Sequence, residues 1–209
     1  MSQFLFVVLV LVGFAGISAN GQSTVPPGSA HPLKDTSTLK PPVGVKVAIL
    51  EFDDLECPPC AHALPLVESS AQHYRVPIVH RDFPIWEQHK WALDAAVTAR
   101  YLKDSVSAKV SQDFRRDVFA NQTSIASQED LAGFTKKWFA EHRLKLPAVI
   151  DPKGIYTNEV KADRALAMQV GLRGTPSVFV LTPREWTQVV DMSQLDATVG
   201  KAVAETGKR

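Results

Sequence analysis

The sequence predicts an α/β fold in which a block of helices interrupts a small sheet. Three observations lead there. Val45 to Phe52 is a β-branched run, apolar from Val47 to Leu50, that suits a strand buried on both faces. Residues 85–146 change to a helical period. Two more strand-like runs, Ser177 to Leu181 and Trp186 to Val190, follow that block. The 209 residues suit one domain, and a 45% apolar content is enough for a core. The 23 Lys and Arg nearly cancel 22 Asp and Glu, so the basic excess of a nucleic-acid binder is missing. Only two cysteines occur, which excludes a multi-disulfide scaffold and a four-cysteine zinc site. No apolar run reaches the roughly 18 residues of a membrane span.

The chain opens on a targeting pattern. Phe4 to Val12 is nine apolar residues, followed by small ones up to Ala19. Residues 1–19 read as a secretory signal peptide with cleavage near Ala19, although Met1-Ser2-Gln3 lacks the usual basic residue. An uncleaved anchor over residues 4–19 is the alternative. Export would place both cysteines in an oxidising compartment. Residues 20–44 hold five prolines with Gly, Ser and Thr between, and predict an exposed Pro-rich linker.

The elements then follow in order. After the first strand a helix is expected from about Cys57, because Pro58 and Pro59 fit a first turn whose N–H groups lack partners anyway. It should run to about Tyr74, with a kink at Pro65. Val76 to Arg81 reads as a second strand. In the helical block, Val106, Val110, Phe114 and Val118 recur at four. Leu131, Phe134 and Trp138 recur at three and four, and Ser127 with Asp130 suggests a capping box. Trp91, Ala95 and Leu102 share a face of another helix. Asn158 to Val170 predicts a helix closed by Gly171, and Ser193 to Val203 a last amphipathic one.

Chemistry is expected at Cys57-Pro58-Pro59-Cys60. A thiolate is the reactive form of cysteine, and the positive end of a helix stabilises it. Two intervening residues let both sulfurs close a small, easily opened ring. Cys57 at the helix start would attack and Cys60 would resolve the mixed disulfide. A structural disulfide over four residues would constrain little. A c-type haem would need His at 61, where Ala stands.

Three landmarks in order carry a family likeness. Glu51-Phe52-Asp53-Asp54-Leu55-Glu56-Cys57-Pro58-Pro59-Cys60 resembles the active-site stretch of exported thioredoxin-fold disulfide oxidoreductases of the DsbA and BdbD type. His80-Arg81-Asp82-Phe83-Pro84 resembles the second-strand segment of that family, and Gly174-Thr175-Pro176-Ser177 its cis-proline loop. The resemblance implies a thioredoxin-like domain over 45–206 with a helical insertion at about 85–148. It implies an exported enzyme that introduces disulfides into exported proteins, with a disulfide reductase or isomerase, or a chaperone-like client-binding protein, as alternatives.

The resemblance also assigns roles. Glu51 would lie beneath the second cysteine as a buried proton donor or acceptor. Thr175–Pro176 would be cis, against the usual preference of X–Pro bonds for trans, and the Thr175 backbone would pair with an extended client. Pro59 departs from relatives that place a side-chain donor there, and Asp53, Asp54 and Glu56 crowd the motif with negative charge. Cys57 is therefore expected to be less acidic than in the strongest oxidases of the family. No cofactor and no metal are expected, since the cysteines carry the electrons. Partners would be exported client proteins and a quinone-linked membrane redox protein. The domain is expected to be a monomer in the periplasm or another extracytoplasmic space. The scattered histidines read as surface or strand-edge residues, with His62 the one to watch.

Overall fold

A computed structural model describes residues 32–207. The proposed signal segment and the start of the Pro-rich stretch lie outside the described residues. The order is β1 (Ala48–Asp53), α1 (Pro58–Tyr74), β2 (Ile78–Asp82), α2 (Ala92–Ser105), α3 (Ala108–Ala120), α4 (Gln128–Glu141), α5 (Ile155–Val170), β3 (Ser177–Leu181), β4 (Trp186–Val189) and α6 (Leu195–Gly207). The strands form one sheet ordered β2-β1-β3-β4. β1 and β2 are parallel, with Glu51 opposite His80 and Asp53 opposite Asp82. β3 runs antiparallel to both β1 and β4.

β1 is buried at all six positions because helices cover both its faces. Val47 and Ile49 pack with Val67 and Ala71 of α1 and Val199 of α6. Leu50 and Phe52 pack with Ala167 and Val170 of α5. Each buried Val, Ile, Leu or Phe among these contributes about 1.5–3 kcal/mol. Strand alternation therefore sets Glu51 and Asp53 on the α1 side.

Helices α2 to α4 form the block between β2 and α5, and their core continues into the active-site loop. Leu55, Cys57, Cys60 and Leu64 share one cluster with Trp91, Leu102, Phe114 and Trp138. The Ser127 hydroxyl accepts from Asp130 N–H, while Asp130 Oδ2 accepts from Ala126 N–H, so an aspartate completes the capping arrangement. The four-residue series starting at Val106 overreaches. Ser107 caps α3 by accepting from Val110 N–H, which leaves Val106 half-exposed between helices. α1 continues through Pro65, which sits on its exposed face.

Within the Pro-rich stretch 20–44, Leu33 to Leu39 is not an exposed tether, whereas Pro42 to Gly44 is exposed. Leu39 is 3% exposed and packs with Leu33 against the α5 side of the sheet. Lys34 N–H donates to Val170 O at 2.8 Å, supplying a partner for an orphan carbonyl at the end of α5. Gly171 makes this possible. Its φ is +93°, and an added Cβ would sit 3.2 Å from Lys34 Cγ.

Candidate active site

Cys57 is the N-cap of α1, with Pro58 and Pro59 in the first turn, so the Cys-x-x-Cys opens the helix as expected. Both cysteines are free thiols. Cys60 is wholly buried, and Cys57 is only 5% exposed, so the attacking position is less open than its place in the sequence suggests. The exposed surface of the motif belongs to Pro58 and Pro59. The Thr175–Pro176 bond is cis, and Cys57 Sγ donates to Thr175 O at 3.4 Å. The turn before β3 thus faces the cysteines across 118 residues.

Three side chains, Gln122, Asp54 and Glu56, fix the loop between β1 and α1. Gln122, in a 3-10 turn after α3, donates to Leu55 O (2.8 Å) and Cys57 O (3.1 Å). Asp54 accepts from Glu56 N–H and Ile85 N–H and meets His89 Nδ1 at 2.7 Å. Glu56 Oε2 accepts from Trp91 N–H and Ala92 N–H, capping α2, which has no cap of its own. The Glu56 charge is thereby committed to a helix N-terminus.

The Cys57 thiol is pulled down from 9.0 to about 6. Hydrogen bonding from Cys60 is the largest cause, and burial opposes it. The Thr175 side-chain hydroxyl and the Cys60 backbone N–H lower it further, while the Asp54 charge raises it. Cys60 goes the other way, pushed up by burial and then by Cys57, with the Asp53 charge adding to both. One thiol is thus ionised near neutrality and the other is held as S–H. Of the three acidic neighbours expected to oppose the Cys57 thiolate, Asp54 is the one among the main causes.

Glu51, 1% exposed, forms no hydrogen bond with either cysteine. Packing sets it on the side of the sheet that α1 covers. Val67 and Ala71 cover Val47 and Ile49, and Cys60 lies on the same α1 stripe, two turns nearer the helix start. The Asp53 charge acts on Cys60 from this side of the sheet. Burial, then the Asp53 charge, raises Glu51 from 4.5 to about 7.

His80 is not a bland strand-edge residue. Its Nδ1 lies 3.4 Å from Asp53 Oδ2 and 3.6 Å from Glu51 Oε2, without the geometry of a hydrogen bond. Burial lowers its basicity, but the two carboxylates outweigh this and raise it. Arg115 of α3 reaches Asp53 at 3.2 Å and also pairs with Asp82. Arg100 of α2 bridges Asp82 and Asp163. These buried partners escaped the sequence reading. The signal for them is the alternation of charge in Glu51-x-Asp53 and His80-x-Asp82 on two runs otherwise read as core. His62 is exposed on α1, away from this cluster. Glu51, Asp53 and His80 bring donor atoms within 4.8 Å of one another. Asp53 is already neutralised by Arg115, and that fixed charge opposes a second cation, so the cation these groups suit is a proton.

Residues 45–199 match the thioredoxin family model. The chain belongs to the thioredoxin family. Among solved structures it is similar to Wolbachia pipientis α-DsbA1, with a TM-score of 0.64 and 18% identity over 80% of this chain and 90% of that one. Pseudomonas aeruginosa DsbA2 gives 0.60 and 19%, over 77% and 88%. A thioredoxin-like oxidoreductase from Silicibacter pomeroyi gives 0.57 and 23%, over 78% and 87%. At these identities the likeness is one of fold. No curated protein matches the chain. Family and fold together place it among thiol–disulfide oxidoreductases, with a DsbA-like architecture.

Proposed function

We propose that this thioredoxin-family protein introduces disulfides into exported proteins through the Cys57–Cys60 pair. A client thiolate attacks Cys57 Sγ, the Cys57–Cys60 bond breaks, and its electron pair goes to Cys60, which takes up a proton. A second client thiolate then attacks the client sulfur of the mixed disulfide and expels Cys57 as a thiolate. The client loses two electrons and the cysteine pair gains them. Thr175, beside Cys57 and preceding cis-Pro176, would pair with the backbone of an extended client segment. No cofactor or metal is required. A quinone-linked membrane partner would reoxidise the pair, and the domain would act as a monomer outside the cytoplasm. No helix among the described residues is long and apolar enough to cross a membrane.

The observation that supports this direction is the position of Cys57 at the N-terminus of α1, facing Thr175 and cis-Pro176, where hydrogen bonding from Cys60 is the largest cause of its lowered pKa. With a value of about 6 instead of 9.0, its thiolate stabilises the reduced pair at pH 7 by about 1.4 kcal/mol. That corresponds to about 30 mV toward a more oxidising disulfide. The test is equilibration of residues 20–209 in graded glutathione buffers, with free thiols counted by alkylation. A pair that stays reduced until the buffer is strongly oxidising supports the oxidase. One that stays oxidised in mostly reduced glutathione makes the protein a reductase.

A further inference from the structure

We propose that His80 ferries the proton exchanged at Cys60 between the buried Glu51–Asp53 carboxylates and water in a cavity beside β2. The inference rests on the redox reading of Cys57 and Cys60 and adds a route for the proton that reading requires. Glu51 is itself cut off from solvent at 1% exposure. A cavity of about 610 Å³ lies on the far side of His80, walled by α1, β2, α2 and α3. The His80 side chain is 19% exposed and lines it, whereas its Nδ1 faces the two carboxylates. The ring thus separates the carboxylates from the cavity, and because both of its nitrogens are buried, a rotation of the ring is needed to bring one to the water.

Three features suit a carrier better than a structural histidine. Neither ring nitrogen makes a hydrogen bond of good geometry, and only the ion-pair contacts at 3.4 and 3.6 Å to Asp53 and Glu51 oppose a swing of the ring toward the cavity. Glu51 Oε2 is also without a partner and buried, so a proton brought by His80 meets a free acceptor. The surrounding charges are otherwise matched. Arg115 is held by Asp53 and Asp82, Arg100 by Asp82 and Asp163, and Arg116 by Glu68. Lys103 lines the cavity as well. Proton uptake at His80 is then set by Glu51 and Asp53 in front of it, with Arg115 opposing.

The step balances. When client thiolate breaks the Cys57–Cys60 bond, Cys60 leaves with the electron pair and takes a proton from Glu51. Protonated His80 returns one to the Glu51 carboxylate and recovers its own from cavity water. Reoxidation runs the same transfers backwards. His80 is a positioning and relay residue here, since it touches neither sulfur.

The experiment is single-turnover reduction of the oxidised protein by dithiothreitol across pH 5–8.5, with acid quench and alkylation. The variants are His80→Ala, which opens room beside the cavity, and His80→Gln, which fills the site without relaying a proton. Wild-type protein that exchanges no disulfide overturns the redox reading, and this inference falls with it. Given wild-type exchange, His80→Ala should be slower at pH 7.5 by at least about tenfold. Added imidazole should restore much of the loss, and the deficit should shrink at pH 5. Equal rates, or a loss that imidazole does not relieve in folded protein, overturn the relay while leaving the redox reading intact. Should His80→Ala not fold, His80→Gln decides: a deficit at pH 7.5 that closes at pH 5 supports the relay, and a pH-independent deficit or none refutes it.

Discussion

Replacing Cys60 by Ala should raise the Cys57 pKa, because the Cys60 side chain is the largest single cause of its depression. The full fall from 9.0 to about 6 is worth about 4 kcal/mol between thiol and thiolate. A hydrogen bond to a charged group contributes about 1.5–3 kcal/mol, so losing this one should raise the midpoint by about one to two pH units. Thr175 and the backbone N–H of residue 60 remain and keep it below 9.0. Thiolate absorbance at 240 nm, followed from pH 3 to 10, measures this directly. Wild-type reduced protein should show one step near pH 6, since Cys60 is pushed beyond the ordinary thiol range. Cys60→Ala should show one step between about 7 and 8. At pH 6 about half of the wild-type Cys57 is then ionised, against about a tenth or less in the variant. Absorbance is the better readout than alkylation rate, because a more basic thiolate is intrinsically more nucleophilic and partly hides the lost fraction. A wild-type midpoint above 8, or a midpoint unmoved by Cys60→Ala, would refute the assignment of donor and thiolate.

Three further perturbations test two buried charges of the site and one helix cap. Arg115→Leu strands the buried Asp53 and Asp82 carboxylates and should cost about 3–5 kcal/mol in urea unfolding, partly regained by adding Asp82→Asn. Glu51 is raised from 4.5 to about 7, so its ionisation opposes folding: the native state is unpenalised below 4.5 and loses stability as pH rises through about 7. Glu51→Gln should therefore stabilise the protein at pH 8 by up to about 3 kcal/mol and leave it unchanged at pH 4, as read from thermal melts at both pH values. Ser127→Ala removes the acceptor for Asp130 N–H at the start of α4 and should cost about 1 kcal/mol by the same melts.

Local signals made most of the fold legible. The prolines after Cys57 fixed the start of α1, Gly171 the end of α5, and Ser127 the start of α4, because each satisfies or spares backbone groups at a helix terminus. The cysteine pair was legible for the same reason. Where periodicity alone was used it slipped, as at Val106, since a run spaced by four continues across a two-residue break between helices. The Pro-rich stretch was misjudged at Leu33 and Leu39, because two apolar residues suffice to fill a groove that only the folded α5 creates.

What the sequence could not show was which distant charge answers which. Glu51, Asp53, His80 and Asp82 alternate along two strands, and the pattern alone says only that four polar groups share a buried face. Their cation, Arg115, lies 62 residues from Asp53 and 33 from Asp82, on a helix whose apolar period gave no sign of it. That pairing changes what the helical block is. α3 sends Arg115 beneath the sheet position that faces Cys60, the turn after it sends Gln122 to the carbonyls of Leu55 and Cys57, and α2 uses Glu56 as its cap. A block tied at these three points to the loop that bears the cysteines sets the geometry and charge of the redox site, beyond any surface it offers to clients.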